Sequence, residues 1–161
     1  MKFNAKQLQQ MSNAARAGAL GAVLSAHSGH VGIILDAAEM VTCVFANHFR
    51  RGFDRFVLSA GHGSALLYSV LKLSGYNIHD LNKFRQLHGL PGHPEIGIDG
   101  VDATTGPLGQ GAGNAVGLAL SQKIRGIKHG DQPGWSLHVL AVQIYLFFLK
   151  QPPISHTFSR F

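Results

Sequence analysis

Apolar residues recur every three or four positions over the first quarter of the chain. Leu8, Met11, Ala15, Ala19 and Ala22 share one face, which predicts a helix over 6–27 with Asn4 as its N-cap. The small residues Ala14, Ala15, Gly18, Ala19 and Ala22 would let a neighbour pack closely. Residues 28–32, Ser-Gly-His-Val-Gly, break the period and read as a loop. A second helix is expected over 36–48, with Ala37, Met40, Val41, Val44 and Phe45 on one side.

The period then changes. Arg55-Phe56-Val57-Leu58-Ser59 is a short apolar run before Ala60-Gly61-His62-Gly63, a buried strand ending in a tight turn. Residues 64–74 return to helical spacing and stop at Gly75. Strand, glycine turn and helix in that order place a ligand at a sheet's carboxyl edge. A short amphipathic helix is expected over 80–87. From Gly89 to Gly117 nine of 29 residues are glycine, with Pro91, Pro94 and Pro107 among them, so regular structure cannot run throughout. Helix resumes at about Gln110. Residues 137–149 form a 13-residue apolar run, short of the ~20 needed to span a bilayer. It reads as a buried strand or an aggregation-prone edge.

Composition narrows the class. The chain has 161 residues, 45% hydrophobic and 14% charged, enough for one domain with a core and too apolar for disorder. The net charge is +6. Residues 1–120 hold nine basic and seven acidic residues, whereas 121–161 hold five and one. The late excess is scattered over Lys123, Arg125, Lys128, Lys150 and Arg160, without the stripe that tracks phosphates, so nucleic acid is not an expected partner. A single cysteine, Cys43, excludes a disulfide framework and a cysteine-based zinc site and points to a reducing compartment. The polar first ten residues carry no signal-peptide pattern. A cytoplasmic chain with no membrane association is the expectation.

Four segments could carry chemistry. Ser28-Gly29-His30, Gly61-His62-Gly63-Ser64 and Pro91-Gly92-His93-Pro94-Glu95 each set an imidazole beside a glycine, so the backbone can approach a ligand while the ring reaches it. Thr104-Thr105-Gly106-Pro107-Leu108-Gly109-Gln110-Gly111 is a glycine loop opening a helix, whose free N–H groups suit a phosphate or diphosphate. Each signal alone is weak. The loop is neither a P-loop nor a dinucleotide fingerprint, and Gly61-His62-Gly63-Ser64 is not a nucleophile elbow. No His-x-x-x-His pair sits on a helix, so no metal ligand is assigned. His27, His48, His79, His88, His129, His138 and His156 read as structural or exposed.

In order, these segments resemble the start of the transketolase family. The carriers are Ser28-Gly29-His30, then 54–62 running into Leu66-Leu67-Tyr68-Ser69, then Phe84-Arg85-Gln86-Leu87-His88. Pro91-Gly92-His93-Pro94-Glu95, the 104–111 loop and Asn114-Ala115-Val116-Gly117 complete the series. The resemblance covers about Asn4 to Lys123. It implies an α/β fold, a parallel sheet flanked by helices, here incomplete. It implies a transferase that moves a two-carbon ketol unit between sugar phosphates of the pentose phosphate pathway. The thiazolium of thiamine diphosphate would supply the nucleophilic carbon. His30, His62 and His93 would be the catalytic residues: His30 and His93 at donor-sugar hydroxyls or the reacting oxygen, His62 by the diphosphate and the reacting carbon. Gly106 would offer its carbonyl to the aminopyrimidine, and Leu108 an apolar contact to the ring. A homodimer, or self-association of the chain, is implied as well.

The departures are as specific. Val31-Gly32-Ile33-Ile34-Leu35 follows His30 where the family has a proline and a small-residue loop. The family's Gly-Asp-Gly, which holds the magnesium on the diphosphate, does not occur; Gly130-Asp131-Gln132 is nearest and precedes the apolar run. The expected organisation is therefore a partial cofactor-binding domain over 1–125 and a divergent tail over 126–161, a truncated product read out of frame after about residue 125. The chain alone is expected to turn over little or not at all. The alternatives are a related thiamine-diphosphate enzyme, such as a dihydroxyacetone or 1-deoxyxylulose-phosphate synthase, and a non-catalytic module that binds a partner or a sugar phosphate.

Overall fold

A computed structural model describes residues 2–125, 137–141 and 145–149. Helix α1 spans Ala5–Ala26, α2 Val31–Asn47, α3 Ser64–Leu73 and α4 Gln110–Arg125. Strand β1 is Arg55–Leu58, β2 Leu137–Ala141 and β3 Tyr145–Leu149.

Helix α1 starts where its capping residues dictate. The Asn4 side chain accepts from Gln7 N at 3.0 Å, and Gln7 Oε1 accepts from Asn4 N at 2.9 Å, a reciprocal capping box. Its small face, with Ser12, Ala15, Ala19 and Ala22, is buried against α2 and α3. An ion pair between Arg16 and Glu39 ties α1 to α2 across their exposed edges.

Helix α3 is buried continuously from Ser64 to Leu71, so its sequence is apolar on every face rather than striped. Strand β1 alternates as a two-residue period requires. Phe56 and Leu58 enter the main core with α1, α2 and α3, while Val57 faces Ala103, Ala115, Leu118 and Ala119 on the α4 side. Helices thus cover both faces of β1, the layering of an α/β protein. Strand β2 pairs in parallel with β1, Arg55 opposite Leu137 through Leu58 opposite Leu140. Strand β3 joins β2 antiparallel, giving the order β1-β2-β3.

Two expectations shift in local detail. Helix α2 begins at Val31, five residues before the predicted 36. Gly32 occupies its first turn, where backbone N–H groups lack intrahelical partners in any case and a glycine costs little. The short helix expected over 80–87 is one 3-10 turn, Leu81–Lys83, capped by the Asp80 side chain on Asn82 N. Arg85 and His88 follow in the left-handed region, φ 57° and 60°, and Arg85 N donates to Leu90 O instead of continuing a helix.

The apolar run over 137–149 forms two strands rather than one; the burial expected of it lies outside the described residues, as does the rest of the tail over 126–161. Among the described residues no helix is long and apolar enough to cross a membrane.

Candidate active site

The site assembles at the carboxyl end of β1. A 3-10 turn, Gly61–Gly63, leaves the strand and delivers the chain into α3 with His62 at its centre. The turn can form only because residue 61 lacks a side chain. A Cβ there would lie 2.8 Å from the Thr105 carbonyl carbon and oxygen and 2.9 Å from Gly106 N, so the two backbones are in direct contact. Thr105 fastens that contact: its hydroxyl, in a buried residue, donates to Leu58 O at 2.6 Å. Its N–H donates to Pro94 O at 3.1 Å, which draws in the loop carrying His93.

That loop is gripped from below by α3. Ser64 Oγ donates to Gly92 O at 2.7 Å and Tyr68 Oη to His93 O at 2.9 Å. Glycine 106 faces the His93 ring, with Cγ and Cδ2 3.8 Å from where a Cβ would stand. On the far side His30 is the N-cap of α2, but its imidazole makes no capping bond. It meets His62 edge to face, ring centroids 5.0 Å apart and planes at 63°.

The three imidazoles predicted from glycine-flanked positions are therefore brought together from three separate loops. Partial burial pushes the His62 imidazole below its ordinary value, and the neighbouring His30 and His93 push it the same way. At neutral pH His62 is uncharged, able to donate from one ring nitrogen and accept at the other. His30 and His93 are exposed, open to a ligand from solvent. Leu108, two residues beyond Gly106, is 65% exposed at the mouth of the same loop.

Sequence reasoning missed the residues that hold these groups. Arg85 spans from Ser28 Oγ, 2.7 Å from Nη1, to His30 Nδ1, 3.4 Å from Nη2. Its only visible signal is the Phe84-Arg85-Gln86-Leu87-His88 string. Ser64, Tyr68 and Thr105 lie within the 61–64, 66–69 and 104–111 segments, where no local pattern marks their distant partners.

Helix α4 closes the site from the other side. Gly111, in its first turn, sits so close to Ser59 that a Cβ would overlap the serine's backbone and hydroxyl. Ser59 Oγ is buried there with no hydrogen-bond partner among the described residues. A glycine shelf, an orphaned hydroxyl at a helix start and a neutral imidazole fit a polar cofactor with an anionic tail. Among the described residues no group of three His, Cys, Asp or Glu side chains could hold a metal.

Comparison with known proteins matches this arrangement. The thiamine diphosphate-binding domain family of transketolase matches residues 7–148. Transketolase 1 of Vibrio cholerae is 47% identical over 127 residues, 71% of this chain and 19% of the relative. The crystal structure of transketolase from Campylobacter jejuni superposes with a TM-score of 0.76 at 41% identity, covering 86% of this chain and 24% of the other. A transketolase complex with sedoheptulose-7-phosphate from Pichia stipitis gives 0.69 at 40% identity, over 82% of this chain and 21% of the other. The match over residues 7–148, most of the chain, makes this a thiamine diphosphate-binding domain by family. The chain belongs to the transketolase family. It spans about a fifth of the length of the curated relatives it matches, and the family match continues to residue 148, past Arg125.

Proposed function

We propose that this chain builds one wall of a transketolase active site, in which a two-carbon ketol unit passes from a ketose phosphate to an aldose phosphate. The observation that carries the reading is the meeting of His30, His62 and His93 beside Gly106 at the end of β1. Thiamine diphosphate, when bound, supplies a nucleophilic carbon and an electron sink. The chain's own groups bind, orient and move protons. His30 and His93, exposed on two loops, hydrogen-bond the hydroxyls or the reacting oxygen of a donor sugar. His62, kept neutral by partial burial and then by its neighbours, would sit by the diphosphate and the reacting carbon, where a neutral imidazole could take up or give a proton. The Gly106 carbonyl accepts from the aminopyrimidine, and Leu108 gives the ring an apolar contact. The likeness to a structure holding sedoheptulose-7-phosphate supports sugar phosphates as the substrate class.

Several finer features belong to the same reading. The sheet extends into the parallel arrangement of a complete cofactor-binding domain, of which β1 and β2 are one pair. The chain divides into a partial domain over 1–125 and a tail over 126–161, with the tail's β2 a member of the same sheet, in keeping with a family match that runs to residue 148. The magnesium of the diphosphate draws its ligands from outside the described residues, and the working enzyme is a cytoplasmic homodimer of the pentose phosphate pathway. Catalysis needs groups from several elements held at once, and a chain a fifth of the relatives' length supplies only some of them. The isolated chain accordingly has little or no turnover.

Isothermal titration of the 161-residue chain with thiamine diphosphate, with and without magnesium, tests this. Saturable heat that His62→Ala abolishes is the expected result. Absence of binding under both conditions, or equal binding by His62→Ala, overturns the cofactor reading and leaves a non-catalytic module. Sugar-phosphate profiling of the full-length relative carrying this segment separates transketolase from dihydroxyacetone and 1-deoxyxylulose-phosphate synthases.

A further inference from the structure

We propose that Arg85 is a positioning residue that locks His30 in a single tautomer, with the proton on Nε2 and Nδ1 bare, and so presents His30 to the site as a hydrogen-bond donor. A guanidinium has five N–H donors, no acceptor, and does not lose its charge. Arg85 directs one arm, Nη1, to Ser28 Oγ at 2.7 Å and the other, Nη2, to His30 Nδ1 at 3.4 Å. The two acceptors lie two residues apart on one loop, a spacing that the planar fork matches and a lysine's point charge would not. An imidazole nitrogen that faces a guanidinium can only accept. A proton on Nδ1 would set two donors head to head. The ring proton therefore resides on Nε2, the nitrogen on the side of the ring away from the guanidinium.

Arg85 is itself held for this task. Its backbone is left-handed, φ 57°, a conformation an arginine adopts only where its surroundings over-determine it. Arg85 N donates to Leu90 O at 2.7 Å, and the guanidinium carbon lies 5.5 Å from the centre of the Phe84 ring. Nε is buried without a hydrogen-bond partner among the described residues and packed against Gly92, where a Cβ would stand 2.9 Å away. Gly92 precedes His93. One side chain thus braces the loops of two of the three imidazoles, from a stretch 55 residues away from His30 in sequence. That His30 donates to a sugar oxygen rests on the proposed function; the tautomer does not.

Long-range proton–nitrogen correlation spectra of the 15N-histidine-labelled full chain test the lock, with His30 assigned by its absence from His30→Gln. The expected wild-type result is a limiting pyridine-type shift for Nδ1 and a limiting pyrrole-type shift for Nε2. Arg85→Met, folded by its amide dispersion, should move both toward the averaged positions they take in the urea-unfolded chain. Arg85→Lys should restore the shifts only in part, whereas Ser28→Ala, which leaves the Nδ1 partner in place, should keep them. A protonated Nδ1 in the wild type, or averaged shifts there, overturns the proposal, and so does an unchanged spectrum in folded Arg85→Met. Should Arg85→Met fail to fold, the wild-type and Arg85→Lys spectra decide. Locked shifts without thiamine diphosphate binding would remove the proposed function and leave the clamp. Binding with averaged shifts would do the reverse.

Discussion

Ser64 and Tyr68 stand one turn apart on α3 and donate to consecutive carbonyls, Gly92 at 2.7 Å and His93 at 2.9 Å. Residues at i and i+4 share a helix face, so a rigid, buried helix sets the position of the loop that carries His93. Burial pushes the Tyr68 phenol well above its ordinary value, so it remains a donor throughout the neutral and alkaline range.

Tyr68→Phe removes one donor and leaves a part-buried carbonyl without it. The expected loss is about 1–3 kcal/mol in urea unfolding, with weaker thiamine diphosphate binding because the His93 loop loosens. A variant as stable as the wild type would show that the bond contributes nothing to holding the loop.

His62 makes stability depend on acidity with a definite sign. Its folded value lies below the ordinary 6.5, so near and below that pH the unfolded chain takes up a proton that the folded chain resists. Stability should fall as pH drops through 6.5 toward the folded value, and His62 should contribute nothing to the slope above it. Urea midpoints across this range, compared between wild type and His62→Asn, check it; the variant should lose part of the acid sensitivity.

Gly61→Ala drives a methyl group into the Thr105 carbonyl, 2.8 Å away, and neither backbone has a flexible end to yield. Overpacking of this kind costs about 1–3 kcal/mol and should part the His62 turn from the 104–108 loop, lowering cofactor affinity as well. Gly113→Ala is the contrast: its Cβ meets nothing within 4 Å and it lies inside α4, so thermal unfolding should show stabilisation of about 0.5–1 kcal/mol.

Asn4→Ala should cost about 1 kcal/mol through the lost cap and leave cofactor titration unchanged, because α1 enters the site only through the loop after its far end. A change in cofactor affinity would mean that α1's entry and the site are coupled.

The elements legible in the sequence are those governed by local rules. Asn4 capped α1 as its side chain demands, the 55–58 run formed a strand, and the helix after the glycine loop began at Gln110. The misreadings came where a local pattern lost to a distant partner. The short amphipathic helix expected over 80–87 is not formed: Leu87 is 87% exposed, while Phe84 is buried against Tyr68 in a segment that bridges to Leu90. The site was legible as a set of segments through their family order. Its geometry was not, since Arg85 meets Ser28 across 57 residues and no periodicity records such a meeting.

The bond from Thr105 to Leu58 O closes a span of 47 residues, and the pressed backbones of Gly61 and Thr105 depend on that closure. The face beside His62 consequently cannot form early: as the chain leaves the ribosome, no niche exists there until the 105 region has emerged and returned to the strand. A molecule that recognises only the closed form favours that return by mass action.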